Sequence, residues 1–459
     1  MAARRFELET ELPVSANEAY SWHLRRGALE RLTPPWERVR VLERQGDLSG
    51  GTVTLEVPIG PIRQRWVARH RDAVPGRRFV DEQIEGPFAS WVHAHLFEPL
   101  GTGRCRYIDR IDYEMPFAAM GKLGAGVVRA KLERVFRYRH TTLRQDLAAH
   151  HRYEGRGPQT VLVTGATGLI AQSLIPFLTT GGHRVRRLVR RAEGPDDVVW
   201  DAAAGRLDGS ALEGTDAVVH LAGEPIAADR WTPEKRRRIL ESRTAGTTLL
   251  ADTLAGLACP PRVLISASAI GIYGDRGAEA LTEDTHLRTG PGTFFVEQVG
   301  HAWEAGTAPA ERAGIRVVRL RIGIVLTPAG GALAQMLPPF MAGVGGRLGN
   351  GRQYMSWIGI DDVVGAIHHA IMTDSVRGPV NATGPDPVTN AEFTKALGAV
   401  LGRPALFAVP ATALRLLFGE LADELLLSSL RVLPERLQAS GYPFRFPTLV
   451  EALRHVLGR

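Results

Sequence analysis

The stretch Thr160-Val161-Leu162-Val163-Thr164-Gly165-Ala166-Thr167-Gly168-Leu169-Ile170-Ala171 lies well inside the chain rather than at its start. Thr160–Val163 is a short β-branched and apolar run, which predicts a buried strand. Gly165 and Gly168 follow as a turn in which backbone can approach a pyrophosphate, whose charge is favoured by the N-terminus of the next helix. The apolar run Leu169–Leu178, closed by Gly181-Gly182, is that helix. A dinucleotide-binding fold is therefore expected from about residue 158, with Gly165, Thr167, Gly168, Leu169 and Ile170 against the phosphates. Residues 1–150 precede it and need their own explanation.

Strand and helix patterns keep alternating downstream. Arg184–Val189, Ala217–Leu221, Arg262–Ser266 and Arg316–Arg319 read as strands, with helices around Lys235–Leu254 and Phe294–Ala305. This order predicts an α/β fold with a doubly wound parallel sheet of Rossmann type. The second strand ends in Arg190-Arg191, where a site for NAD usually carries an acidic residue for the ribose hydroxyls. Arginine there suits a 2′-phosphate through bidentate pairing, so the expected cofactor is NADP(H). The competing reading is compositional, because Lys122, Lys131, Lys235 and Lys395 are the only lysines and every other strong base is arginine.

The 459 residues allow roughly two to four domains, and 44% hydrophobic with 23% charged residues is ordinary for globular protein. The formal charge is +7, but no basic stripe or motif accompanies it, so no nucleic-acid partner is expected. Cys105 and Cys259 fit no metal or redox spacing, which predicts a reducing, cytoplasmic location. No apolar run of about 18 residues is present to span a bilayer, and the N-terminus lacks an apolar signal core. Oligomeric state has no signal in the sequence.

In the first 150 residues, Phe6–Leu12 alternates apolar and polar side chains as a half-buried strand does. Ser15 and Glu18 have capping-box spacing at the start of a helix. Val39–Leu42, Thr52–Val57, Ile62–Ala68, Trp91–Phe97 and Arg104–Tyr113 follow as an antiparallel meander punctuated by glycine turns. Val128, Leu132, Val135, Phe136 and Leu143 then recur at the spacing of a long amphipathic helix. A curved sheet around a long C-terminal helix resembles the START-like, polyketide-cyclase-like superfamily, also in Arg137-Tyr138-Arg139-His140 and in the strand Ile108–Tyr113. That resemblance implies an α+β helix-grip domain enclosing an apolar cavity, for a small hydrophobic ligand or a partner surface. His93 and His95 share one face of a strand, and the expectation is an outward polar face rather than a cavity lining. Leu147–Gln159 reads as a polar linker. The expected division is 1–150, 158–385 and 386–459, the last supplying the substrate side of the cleft.

The glycine spacing, with Ala171 in the third position, resembles the extended short-chain dehydrogenase/reductase superfamily. Finer motifs resemble its atypical "epimerase family" subfamily: Val199-Trp200-Asp201, His220-Leu221-Ala222-Gly223-Glu224-Pro225-Ile226, Ser266-Ala267-Ser268-Ala269-Ile270-Gly271 with Tyr273-Gly274, Gly349 to Gln353, and Val409 to Leu457. The resemblance implies cofactor contacts at Leu221, Ala222, Gly223 and Ser266, and a small-molecule substrate. That subfamily usually carries His where this chain has Gly359.

Superfamily chemistry needs a Tyr acid/base four residues before a Lys, plus a Ser or Thr hydroxyl that polarises a carbonyl. No lysine occurs between Lys235 and Lys395, and the tyrosine position falls near Phe294, Phe295 or Val296. The usual hydroxyl position is Ala269. Three readings stay open. Catalysis can rest on Ser268 and Tyr273, with Glu224, Arg243 or Gln353 as polar partners. The fold can bind NADP(H) without turnover, or these side chains can be structural. Asp361-Asp362 is expected to cap the helix Val363–Met372 rather than to hold a metal.

Overall fold

The computed structural model describes residues 3–47, 50–60, 62–115, 123–227, 230–290 and 292–459. The chain divides into two units, one of residues 1–157 with 179–182 and Gly458, the other of residues 158–178, 183–457 and Arg459. No helix among the described residues is long and apolar enough to cross a membrane.

The N-terminal unit is a seven-stranded antiparallel sheet in the order Arg4–Leu12, Cys105–Glu114, Ser90–Pro99, Arg78–Glu85, Ile62–Val74, Thr52–Ile59 and Arg40–Gln45. The helix Leu123–His151 grips it, burying Leu132, Phe136, His140, Leu143 and Leu147 at helical spacing. The Phe6 and Phe136 rings meet at 5.4 Å across that contact. Ser15 caps the helix Ala16–Leu24 by accepting from the Glu18 N–H at 3.2 Å. This is the α+β helix-grip architecture that the resemblance implied.

Three features of this unit differ from expectation. The strand Arg78–Glu85 has no counterpart in the sequence reading, because its inward positions Phe79, Asp81 and Gln83 mix apolar with polar side chains and hide the alternation. The long helix runs through His151, so only the end of the expected linker is non-helical. The third difference is a correction. His93 and His95 face inward and are 3% and 2% exposed, since their strand pairs on both sides and puts odd-numbered residues on the helix-covered face.

The second unit is built on an eight-stranded sheet in the order Arg206–Leu207, Asp197–Asp201, Arg184–Val189, Thr160–Thr164, Ala217–His220, Val263–Ala269, Arg316–Ile322 and Gly378–Ala382. All neighbours are parallel except the Arg206–Leu207 edge. Thr160–Thr164 is central and the order reverses beside it, so the crevice forms where the strands Thr160–Thr164 and Ala217–His220 end. The C-terminal segment enters this unit through short strand pairs, Ala280–Leu281 with Arg431–Val432 and Gly346–Leu348 with Phe407–Val409.

Asp361 and Asp362 lie inside the helix Ile360–Met372, whose N-cap is Gly359. Both carboxylates turn to the C-terminal segment instead of capping their own helix. Asp362 accepts from the backbone N–H of Arg445 at 2.7 Å and of Phe446 at 3.1 Å, and from the Tyr442 hydroxyl at 3.1 Å. Asp361 pairs with His455 at 3.1 Å. Burial raises the Asp362 carboxyl above the ordinary range, and these donors hold it in place. Replacing it should leave the two backbone donors without an acceptor, while the Tyr442 hydroxyl keeps the Asp362 carbonyl at 2.9 Å. Asp362→Ala is expected to cost roughly 3 kcal/mol in urea unfolding and to deprotect residues 442–457 in hydrogen exchange.

Candidate functional site

Gly165 occupies the left-handed region at φ 67°, and a Cβ there would stand 2.9 Å from the Ala222 nitrogen and from the Leu221 carbonyl. Only glycine lets the turn pass this close to the end of the neighbouring strand. The two strand ends are also joined through one hydroxyl. Thr164 Oγ1 accepts from the backbone N–H of Leu221 and of Ala222, each at 3.1 Å. With its acceptor sites used, that hydroxyl donates to His220 Nδ1 at 2.7 Å. His220 Nε2–H in turn donates to Thr247 Oγ1 at 3.0 Å. The first-turn N–H groups of the helix Leu169–Thr180 have no acceptor within the helix, which favours an anion over Gly165–Gly168.

The loop after the Ala217–His220 strand is held by one helix, Pro233–Ala255. Ser242 Oγ accepts from the Glu224 N–H at 3.0 Å, and Arg243 donates to the Glu224 carbonyl at 2.9 Å. Lys235 Nζ donates to the Glu224 carboxylate at 2.8 Å and thereby lowers its pKa. Arg243 is buried over the Trp303 ring at 4.8 Å, and burial lowers its pKa to about 10. Glu224 and Arg243 are thus brought together below the Leu221-Ala222-Gly223 backbone. Gln353 stands elsewhere, its amide nitrogen donating to the carbonyls of Leu348 and Leu426 at 3.1 Å each.

At the end of the strand Arg184–Val189, Arg190 and Arg191 are both exposed, and neither enters an ion pair among the described residues. Arg190 opens on a pocket of about 410 Å³ shared with Trp200, Asp201, Arg206 and Asp208. Arg187, two positions from the strand end, is by contrast fully committed, paired twice with Asp197 at 2.7 Å.

Ser268 and Tyr273 are brought into a single buried network. Ser268 Oγ donates to Glu304 at 2.8 Å, and Glu304 accepts from Arg321 at 2.8 and 2.9 Å. Arg321 also donates to the Tyr273 oxygen at 2.9 Å, and Tyr273 donates to Asn381 at 2.8 Å. Burial raises the Tyr273 pKa, against the opposing pull of Arg321. Strand alternation explains the placement of the serine. Ser268 faces the helix Phe295–Ala305, and Ala269 next to it is the exposed residue. Ser266, also buried, pairs in register with His220.

Phe294, Phe295 and Val296, where the helix Phe295–Ala305 begins, carry no proton-transfer group, and the buried Glu297 beside them is taken up by Arg288 at 2.8 Å and the Phe294 N–H at 2.9 Å. Phe295 packs with Ile239 and Val299, and Glu424 accepts from the N–H of Phe295 and Val296 at 3.1 and 3.0 Å. Four residues beyond Val296 stands Gly300, where even a Cβ would lie 2.8 Å from the Ile272 Cβ. Close packing of this helix on Ile270–Tyr273 has replaced the space that a lysine needs. Sequence reasoning missed Thr164, Thr247, Glu304, Arg321 and Asn381. Thr164 closes an apolar strand run and Arg321 and Asn381 stand one residue before the ends of theirs, which was the available signal; Thr247 and Glu304 lie on helices and offered none.

The neutral His220 ring has a pH consequence. Burial lowers its pKa to about 4, below the value of about 6.5 for an exposed histidine. Between these values the unfolded chain takes up a proton that the folded chain does not. Its stability contribution is complete above about pH 6.5 and is lost as pH falls towards about 4. The loss should reach roughly 3 kcal/mol, and His220→Gln should remove that part of the difference between urea unfolding curves recorded at about pH 7 and about pH 4.5.

Residues 161–382 match the NAD dependent epimerase/dehydratase family. Residues 12–136 match polyketide cyclase / dehydrase and lipid transport, and residues 409–456 a domain of unknown function. The epimerase family protein MT2273 of Mycobacterium tuberculosis is 42% identical over 300 residues, covering 65% of this chain and 98% of the relative. Among solved structures, a nucleoside-diphosphate sugar epimerase from Corynebacterium glutamicum superposes with a TM-score of 0.80 at 33% identity, over 99% of this chain and 90% of the other. Human epimerase family protein SDR39U1, solved with NADPH, gives a TM-score of 0.59 at 35% identity, over 65% of this chain and 98% of the other. With the dinucleotide turn and the altered catalytic helix both in place, the chain belongs to the epimerase family, as an atypical member preceded by a polyketide-cyclase-like domain.

Proposed function

We propose that this protein is an NADP(H)-binding, epimerase-like oxidoreductase acting on a small carbonyl or hydroxyl compound. The observation that carries the cofactor assignment is the pair Arg190 and Arg191. Both are exposed and outside any ion pair among the described residues, and Arg190 lines a pocket at the end of the strand next to the dinucleotide turn. A 2′-phosphate supplies the partner that these guanidiniums lack. The human relative solved with NADPH supports the same choice.

In this reading Gly165, Thr167, Gly168, Leu169 and Ile170 hold the pyrophosphate, and Leu221, Ala222, Gly223 and Ser266 the nicotinamide side. A bound dinucleotide supplies hydride exchange with the substrate. The chain's own contribution is placement: Glu224 and its three helix partners hold the Leu221–Gly223 backbone, and residues 386–459 form the substrate side. Ser268 and Tyr273 act as positioning residues through the strand end that they anchor, and the proton comes from water. The family match of residues 12–136 supports a small hydrophobic ligand for the N-terminal domain.

One observation favours a second reading, NADP(H) binding without turnover. Both candidate hydroxyls donate into the Glu304–Arg321–Asn381 network, and Phe294–Val296 offer no proton. Calorimetry with NADPH and NADH tests the cofactor. NADPH should bind about 10-fold or more tightly than NADH, and Arg190→Glu with Arg191→Glu should erase that preference. Equal affinities in the unmodified chain would sink the NADP(H) assignment. Tight NADPH binding with no loss of reduced nicotinamide across a broad carbonyl panel would select the second reading.

A further inference from the structure

The interior of the N-terminal domain contains a cluster that neither the dinucleotide site nor the family match explains. Sheet register sets Asp81 beside His93, and Phe79, His95 and Asp109 in a row on the same face. One donor atom each of Asp81, His93 and His95 lies within 4.8 Å of the others. His95 Nε2 stands 3.1 Å and His93 Nδ1 3.9 Å from the same oxygen, Asp81 Oδ2. A tetrahedral ion about 2.1 Å from each ligand sets its ligand atoms roughly 3.4 Å apart.

The groups behind these three residues orient them. Asp109 is fully buried, and its Oδ1 faces His93 Nε2 at 2.7 Å and His95 Nδ1 at 3.0 Å. The Tyr107 hydroxyl donates to the same oxygen at 2.8 Å and lies 2.7 Å from His95 Nδ1. His140 Nε2 faces the other Asp109 oxygen at 2.9 Å. A carboxylate only accepts, so His93 Nε2 and His95 Nδ1, which face Asp109, each carry a proton, and their other nitrogens are the ones turned to Asp81. This is how a carboxylate behind a ligating histidine fixes its tautomer in metal centres. His70 Nδ1 engages Asp81 Oδ1 at 2.5 Å, leaving Oδ2 for the third ligand.

His95 Nε2 and His93 Nδ1 converge on one oxygen of Asp81, at 3.1 and 3.9 Å. A carboxylate only accepts, so without an ion a proton on His95 Nε2 makes the shorter contact a hydrogen bond. A divalent ion between Asp81, His93 and His95 would take the place of that proton and bond all three side chains.

We propose that Asp81, His93 and His95 form a mononuclear site for a divalent transition ion of the zinc class, with Asp109 and His70 as the groups that orient its ligands. Two imidazoles and one carboxylate suit such an ion. Three protein ligands leave one tetrahedral position open for water or for a donor atom of a small molecule, as in sites that do more than staple a fold. The site stands on the N-terminal domain alone and does not depend on the NADP(H) assignment.

The test uses the full chain after dialysis against a chelator. Titration with zinc chloride in calorimetry should show one equivalent bound with micromolar or tighter affinity, and cobalt(II) chloride should give the visible bands of a tetrahedral site. Asp81→Asn and His95→Gln should each weaken zinc binding about 100-fold, and Asp109→Asn about 10- to 100-fold, with far-UV circular dichroism unchanged. A variant that does not fold leaves the unmodified chain decisive through nitrogen-15 imidazole spectra. With one equivalent of zinc, His95 should show a proton on Nδ1 only. Protons on both His95 nitrogens in the presence of zinc, no zinc binding, or binding that survives both ligand substitutions would each overturn the proposal.

Discussion

The close approach of the Gly165 turn to the Leu221–Ala222 backbone is the constraint on which the second unit depends. Two parallel strands must end beside each other with no side chain between them, at the point where strand order reverses. The Thr164 hydroxyl satisfies the two backbone donors that this junction leaves unpaired. His220 continues the chain of donors to Thr247 on the helix Pro233–Ala255. One small hydroxyl therefore ties the floor of the crevice to the helix that also holds Glu224. Such a floor keeps backbone N–H groups in place before any anion arrives, which lowers the ordering cost of binding.

Around that floor, the usual proton-transfer apparatus has given way to packing. Gly300 lets the helix Phe295–Ala305 rest on Ile272, and Phe295 and Val296 bury where a tyrosine would stand. The Ser268–Glu304–Arg321–Tyr273–Asn381 network occupies the adjoining strand ends. Burial works against the Arg321 charge, but Glu304 and Tyr273 outweigh it and raise its pKa. A network whose members are all mutually satisfied rigidifies its surroundings. It anchors the end of the strand Val263–Ala269 against Gly378–Ala382, across the strand between them.

The N-terminal domain treats polarity differently. Its sheet buries Phe6, Trp91, Ile111 and Tyr113 with Phe136 near one end, and a His–Asp cluster next to them on the same face. Both regions face the same helix, His93 meeting Phe136 edge-on at 5.2 Å and His140 reaching Asp109. Burying so many ionisable groups is costly unless each is paired, and the cross-strand register is what pairs them.

The local pattern of residues 160–171, the alternation of strand and helix after them, and Arg190-Arg191 were sufficient to place the dinucleotide fold and its cofactor class. Those features are short-range: propensity, period and glycine spacing act within one element and its turn. The absence of a Tyr-Lys pair was equally visible, since it needs only a scan for lysine. What could not be read was the partner of each polar side chain. The strand Arg78–Glu85 was hidden because Asp81 looks like a surface residue until His93 and His95 are set opposite it. Asp362 looked like a cap until Tyr442 and Arg445 folded back onto it. Ser268 and Tyr273 looked like isolated hydroxyls until Glu304, Arg321 and Asn381 were set beside them. Each of those pairings joins residues distant in the chain, so sheet register and helix docking decided it, and neither is contained in any single stretch of sequence.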